Sequence, residues 1–180
     1  DLSLHLSAGT SFAPPSTQVV GPREPEKGKQ LEAGAKLQFL EGKAFLGGSF
    51  YTLQRENIAI PDSSGLLKEV GDQRSRGFEL DFTAEPRKGL VTYLSYAFTD
   101  SELTRFSDSV FTGTGYLVTD RSGNDAPFAP RHLANVWVSK EWESGLGLAG
   151  GLRALSKQFV GEDNRYRIDY ADSEIKPCIA

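Results

Sequence analysis

Residues 31–39 read Leu31-Glu32-Ala33-Gly34-Ala35-Lys36-Leu37-Gln38-Phe39, and their alternation decides the fold class. Leu31, Ala33, Ala35, Leu37 and Phe39 share one parity, while Glu32, Lys36 and Gln38, with Gly34, share the other. Successive side chains of a strand point to opposite faces, so this run makes one apolar wall and one polar wall. A helix would need its apolar residues at a period of 3.6, which this run does not have.

The pattern recurs on both sides. Leu2, Leu4 and Leu6 alternate with Ser3, His5 and Ser7, and Phe78, Leu80 and Phe82 alternate with Glu79, Asp81 and Thr83. Leu94, Tyr96 and Phe98 share a face in segment 90–104, as do Ala134, Val136 and Val138 in segment 131–142, opposite Asn135, Ser139 and Glu141. Leu146, Leu148 and Leu152 alternate with glycine, alanine and arginine, and a last short strand is expected from Asn164 to Tyr170. Segment 44–57 reads as a strand, but its faces cannot be assigned. The chain is therefore all-β, with about eight antiparallel up-and-down strands and no helix.

The connections alternate in length. Glu41-Gly42-Lys43, Pro86-Arg87-Lys88-Gly89 and Ser144-Gly145 are tight turns, whereas 13–29, 58–73 and 105–130 read as long polar connections. Long connections without structure are uncommon in compact domains, but membrane barrels have short periplasmic turns and long outer loops. Segment 74–85 would span roughly 40 Å at ~3.3 Å per residue. Tilted by about 45° it covers roughly 28 Å, close to the ~25 Å apolar band of such barrels. Sandwich strands usually run ~5–6 residues. Alternation itself is the same for a soluble sandwich, which buries its apolar face, and for a membrane barrel, which turns that face to lipid. The discriminating feature is where Leu31, Ala33, Leu37, Phe78, Leu80 and Phe82 go.

Composition agrees with strands. Of 180 residues, 38% are hydrophobic, 11% are aromatic and 19 are glycine, and no run approaches the ~20 apolar residues of a membrane helix. A net charge of −4 gives no basic footprint for nucleic acid. Methionine is absent even at position 1, and no signal peptide is read, so a fragment of a longer chain is expected. Cys178 is the only cysteine, which excludes an internal disulfide and a cysteine zinc cluster. His5 and His132 are far apart and are read as structural or surface residues rather than ligands.

Several motifs have simpler readings than the chemistry they suggest. Gly145-Leu146-Gly147-Leu148-Ala149-Gly150 fits G-x-G-x-x-G, but the charged run before it and the alternating strand after it deny the βα setting a dinucleotide needs. Small residues on a lumen face are the expected account. Asp120-Arg121-Ser122-Gly123-Asn124-Asp125 resembles a calcium loop but has Arg131 where the twelfth-position glutamate belongs, so an ordinary turn is expected. Glu79 and Asp81 share a face and are read as lumen charges rather than an acid–base pair. Arg74 and Arg76 share the parity of Phe78 and are placed near the outer headgroups. Tyr96, Phe98 and Trp142 are candidates for interfacial girdles. Phe106, Phe111, Tyr116 and Phe128 lie in long connections and could contact a ligand, but no ligand-binding residue is singled out. No catalytic, cofactor or metal constellation is found.

Five blocks carry a family resemblance: Ser11-Phe12-Ala13-Pro14-Pro15-Ser16, Pro25-Glu26-Lys27-Gly28-Lys29-Gln30-Leu31-Glu32-Ala33-Gly34, Arg74-Ser75-Arg76-Gly77-Phe78-Glu79-Leu80, Ser95-Tyr96-Ala97-Phe98-Thr99-Asp100-Ser101-Glu102 and Ala129-Pro130-Arg131-His132-Leu133-Ala134-Asn135-Val136-Trp137. In this order and spacing the chain resembles the TonB-dependent siderophore receptors, with the ferrichrome type as nearest subgroup. The resemblance runs from residue 2 to about residue 170. It implies a barrel of about 22 strands plugged by a separate domain, of which this chain supplies part of the wall and outer loops in the outer membrane. It also implies an Fe(III)–siderophore as cargo, membrane lipid around the wall, an energy-coupling complex acting through a plug that this sequence lacks, and no covalent chemistry. Residues 171–180 depart from the family pattern and are expected to be a divergent or truncated tail.

Overall fold

The alternating run 31–39 lies within a 14-residue strand, and the same logic builds a single sheet around it. The computed structural model describes residues 1–14, 24–61 and 67–168, without the side chains of 59–61, 67–70, 109–111 and 116. The strands are β1 (Leu2–Ala13), β2 (Glu26–Phe39), β3 (Ala44–Pro61), β4 (Leu67–Arg87), β5 (Leu90–Arg105), β6 (Ser107–Phe111), β7 (Tyr116–Asp120), β8 (His132–Glu141), β9 (Gly147–Leu155), β10 (Gln158–Phe159) and β11 (Arg167–Ile168). Seven form one sheet in the order β1-β2-β3-β4-β5-β8-β9, and β6-β7 and β10-β11 are separate two-stranded sheets. All pairings are antiparallel. The expected eighth wall strand, 164–170, is instead Arg167–Ile168 paired with Gln158–Phe159 in its own small sheet. Its residues 169 and 170 lie outside the described ones, as do the expected tail 171–180 and Cys178.

Register keeps parity across the sheet. Leu4 faces Ala35, Ala35 faces Gly48, Gly48 faces Leu80, Leu80 faces Tyr96, Tyr96 faces Ala134 and Ala134 faces Ala154. A one-residue slip would move each set to the other face, so the apolar pattern fixes the pairing. This register also resolves β3. Ala44, Leu46, Gly48, Phe50 and Thr52 join the apolar face, and Phe45, Gly47, Ser49, Tyr51 and Leu53 the polar one. Phe45 and Leu53 sit on the polar face, which is why the sequence of β3 could not be divided.

The apolar face is not covered. Leu4 is 75% exposed, Phe50 72%, Leu31 49% and Leu80 45%, and the only buried apolar residues among those described are Ala44, Ala84, Leu103, Phe106 and Ala126. A sandwich would bury Leu31, Leu37 and Leu80 under a second sheet, and here no second layer of described residues packs on them. From Leu31 to Phe39 the apolar run climbs about 26 Å along the strand, or about 19 Å at ~45° tilt, on the scale of a barrel's apolar band.

The β2–β3, β4–β5 and β8–β9 turns lie at one end. Gly42, Gly89 and Gly145 take positive φ of 85°, 72° and 84° there, a conformation glycine adopts without strain. At the other end the strands outrun the expected connections. Residues 58–73 are mostly a tall β3–β4 ribbon with a register shift between Arg55 and Ile58. Likewise β1 continues to Ala13, and 105–130 contains the β6–β7 hairpin. Above an apolar band both faces of a ribbon meet water. The period-2 signal then fades although the backbone pairing persists.

Candidate functional site

The polar face presents rows of side chains across the strands. One row reads Lys36, Gly47, Asp81, Ser95, Asn135 and Arg153. Tyr93 donates its hydroxyl to Asp81 Oδ1 at 3.1 Å, and Asn135 Nδ2 donates to Ser95 Oγ at 2.9 Å. Glu79 and Asp81 do lie on this face, but Asp81 is engaged by a tyrosine, and no general acid–base pairing follows.

Toward the loop end the row is rich in hydroxyls and amides. Gln73 Nε2 donates to Ser101 Oγ at 2.8 Å, the Ser75 and Ser101 hydroxyls are 2.8 Å apart, and Tyr51 Oη is 2.7 Å from Thr99 Oγ1. Arg55 donates to Glu26 Oε1 through Nε at 2.8 Å and Nη2 at 2.7 Å. Such a wall can hydrogen-bond a polar solute or another protein domain. Several side chains lie flat over glycines of the next strand. A Cβ at Gly34 would sit 2.4 Å from His5 Cε1, one at Gly151 2.6 Å from Trp137 Cε3, and one at Gly77 3.0 Å from Tyr51 Oη. His5 Nε2 also lies 3.2 Å from Glu32 Oε1, a structural role.

The apolar face carries an aromatic belt toward the loop end. Phe78 stands 5.9 Å from Phe50, 5.7 Å from Tyr96 and 5.8 Å from Phe98 between ring centroids, and His132 stands 5.3 Å from Phe98. The Tyr96 hydroxyl is 2.8 Å from His132 Nδ1. Tyr96 and Phe98 are thus in the belt, as their parity suggested, whereas Trp142 lies at the opposite end beside the β8–β9 turn. Sequence reading did not place Phe50 or His132 here. Phe50 lay in the unassigned strand, and an isolated histidine reads as a surface residue. Immediately beyond the belt come ion pairs on the same parity: Arg74 with Glu102, and Arg76 with Asp100 at 3.0 Å.

The upper loops are tied to the wall. The Asp72 carboxylate accepts from Arg105 at 2.8 and 3.0 Å and from the Asn57 amide at 3.1 Å. The Arg105 hydrogen bond, with the Asn57 amide also contributing, outweighs partial burial and holds this carboxyl below its ordinary value. Asp120 accepts from the Ser122 amide at 2.9 Å, and hydrogen bonds from Ser122 lower its carboxyl too. Gly123 has φ of 87° and Asp125 is taken by Arg131 at 2.7 Å. Residues 120–125 form a turn in which Asp120 and Asp125 are both engaged within the chain. The G-x-G-x-x-G run is a hairpin turn followed by β9. Gly147 and Ala149 fall on the polar face as expected, but Gly150 falls on the apolar face opposite Val138.

Among the loop aromatics, Phe106 is only 3% exposed and packs with its Cδ2 over Gly71, so it is a packing residue. Phe128 is 63% exposed at φ 56°. The side chains of Phe111 and Tyr116 lie outside those described.

An antiparallel sheet with one apolar, uncovered face that carries a belt of aromatics and one polar face has the pattern of a β-barrel wall. The chain belongs to the TonB-dependent receptor β-barrel family: a family model described as "TonB dependent receptor-like, beta-barrel" matches residues 1–177. Members of that family are outer-membrane β-barrel receptors. The chain is 26% identical over 179 residues to the probable TonB-dependent receptor BfrD of Bordetella pertussis, covering 94% of this chain and 23% of that protein. It is 29% identical over 150 residues to the ferrichrome outer membrane transporter/phage receptor of Escherichia coli K12, covering 80% and 18%. The crystal structure of the siderophore receptor PiuA from Acinetobacter baumannii superposes with a TM-score of 0.76 at 22% identity, over 93% of this chain and 26% of that one. The chain thus spans about a quarter of the length of the relatives it matches.

Proposed function

We propose that residues 1–170 form wall and outer loops of an outer-membrane receptor for energy-coupled uptake of an Fe(III)–siderophore. The observation that carries this reading is the face assignment: large apolar side chains stay exposed across all seven wall strands, while charges and hydroxyls line the other side. In water such a face would be an association site of unusual extent, whereas in a bilayer it meets lipid. The wall performs no covalent chemistry. The whole receptor would capture the chelate with its outer loops and admit it past a plug seated against the polar face, with TonB supplying the energy. The polar rows from Lys36 to Arg153 and from Gln73 to Ser101 would meet plug and cargo.

The test uses the intact receptor in lipid vesicles. Single cysteines at Leu37 and Leu80 should resist a water-soluble thiol reagent, and cysteines at Lys36 and Glu79 should react when the plug is absent. Cells carrying the receptor should take up iron from a trihydroxamate chelate only when TonB is present. Ready labelling at Leu37 and Leu80 in lipid would remove the membrane reading. TonB-independent uptake would turn the receptor into a passive pore.

A further inference from the structure

We infer that the β3–β4 ribbon and the β6–β7 hairpin form one mechanical unit, latched to the wall at Asp72 and keyed together by Phe106 in a notch at Gly71. A displacement of either loop is then passed to the other. In the proposed receptor both stand at the outer mouth, but the coupling belongs to the loops themselves and holds whatever the receptor carries.

The strand ladder breaks on both sides of Asp72 at one level. On the β3 side Arg55 pairs with Gln73 and Ile58 with Gly71, so Glu56 and Asn57 together stand against Asp72. On the β5 side Gln73 pairs with Leu103 and Asp72 with Arg105, which leaves Thr104 without an opposite residue. Bulges interrupt the ladder and bend the strand that carries them. Asn57 takes a left-handed conformation there, with φ of 60°, which asparagine accepts more readily than most residues. Two interruptions at one level make this line the natural place for the sheet to flex. One carboxylate spans it. Asp72 accepts from the Asn57 amide on β3 at 3.1 Å and from the Arg105 guanidinium on β5 at 2.8 and 3.0 Å. The Asn57 side chain also donates to the Pro25 carbonyl, at the entry to β2, at 3.2 Å.

Beyond this line the sheet forks. Residues 67–71 of β4 continue the pairing with β3, while β5 gives way to β6, which joins β7 in a separate sheet. Phe106 fills the fork. It is 3% exposed, and a Cβ added at Gly71 would lie 2.9 Å from its ring and 3.1 Å from the Arg105 carbonyl oxygen. The Phe106 backbone belongs to the hairpin side. Its amide donates to Ser122 Oγ at 3.2 Å and its carbonyl accepts from the Arg121 amide at 2.8 Å. Arg121 Nη2 in turn donates to Asp108 on β6 at 3.3 Å. The hairpin therefore holds a ring that is buried against the ribbon. Separating the two would return that ring to water, which opposes independent motion.

The experiment follows amide hydrogen exchange in the intact receptor purified in detergent. Gly71→Ala alters only the ribbon and should accelerate exchange across hairpin residues 107–111 and 116–120 about tenfold. Phe106→Ala should do the same across ribbon residues 58–60 and 67–71, and Phe106→Leu, which refills the notch, should recover most of the ribbon's protection. Asp72→Asn should accelerate both loops together. Thr112→Ala removes a hydroxyl that bonds the Gly115 carbonyl at the hairpin tip and should leave the ribbon unchanged. Unaltered protection of β5 and β8 shows that each variant is folded. Loops that answer only to their own substitutions overturn the inference, and so does a ribbon that responds to Thr112→Ala as it does to Phe106→Ala. If Gly71→Ala does not fold, Asp72→Asn decides, because acceleration of one loop without the other is equally fatal. Ferric-chelate uptake is measured beside exchange. A receptor that carries iron with uncoupled loops loses this inference alone, and one with coupled loops that carries no iron loses the transport reading alone.

Discussion

The Tyr51 hydroxyl lies 2.7 Å from Thr99 Oγ1, although the two residues sit on strands separated by β4. Gly77 on β4 makes the crossing possible. A Cβ there would stand 2.0 Å from the Phe98 carbonyl oxygen and 3.0 Å from Tyr51 Oη. Gly77→Ala should therefore destabilise the barrel by about 1–3 kcal/mol through overpacking. Gly150→Ala, whose new methyl meets nothing within 4 Å, should stay within about 0.5 kcal/mol of wild type. Urea unfolding of the receptor in vesicles gives both values, and equal midpoints for the two variants would contradict the seat at Gly77.

Neighbouring positions on one strand should respond oppositely to the same charge. Leu80→Arg puts a cation on the lipid face and should cost about 2–4 kcal/mol near mid-bilayer. Glu79→Arg changes a wet face and should stay within about 1 kcal/mol. The folded fraction after insertion into vesicles, read from gel mobility, should fall for the first variant only.

Arg74 depends on Glu102. Its Nε is buried without a hydrogen-bond partner, so the Glu102 carboxylate supplies its main compensation. Glu102→Gln should lower stability by about 1–3 kcal/mol, because it leaves a part-buried cation under-satisfied. Adding Arg74→Gln should return part of that loss. A double-mutant cycle showing simple additivity would deny the coupling.

Asp72 gives the tall ribbon a pH response. Its carboxyl sits below the ordinary value because Arg105 and the Asn57 amide bond the ionised form. A depressed carboxylate contributes stability that is complete above the unfolded value of about 3.9 and is lost as pH falls through the lower folded value. Hydrogen exchange at the Asn57 amide should be slow at pH 6 and should accelerate, relative to the intrinsic rate, as pH drops below about 4. Asp72→Asn should abolish that added acceleration. Protection that stays constant from pH 6 to pH 2 in wild type would rule the link out.

The wall was legible where lipid and lumen impose opposite demands on alternate residues. Leu31 to Phe39 and Phe78 to Thr83 declare their faces because each residue type suits only one side. β3 did not, since Phe45 and Leu53 put apolar bulk on the wet face. Residues 58–73 read as a connection because a ribbon with water on both sides carries no alternation. The belt was half legible. Tyr96 and Phe98 follow from parity, but His132 needs the β5–β8 pairing to bring it beside them.

The glycine seats on the inner face bear on clearance. Tyr51, Trp137 and His5 are among the bulky groups on that face, yet each lies along the wall over a glycine of the neighbouring strand. Their width is taken from the thickness of the sheet and not from the bore. A passage lined in this way keeps aromatic and imidazole surfaces at its margin while leaving the middle open. In the proposed receptor, cargo passing these three positions would meet broad, shallow side chains.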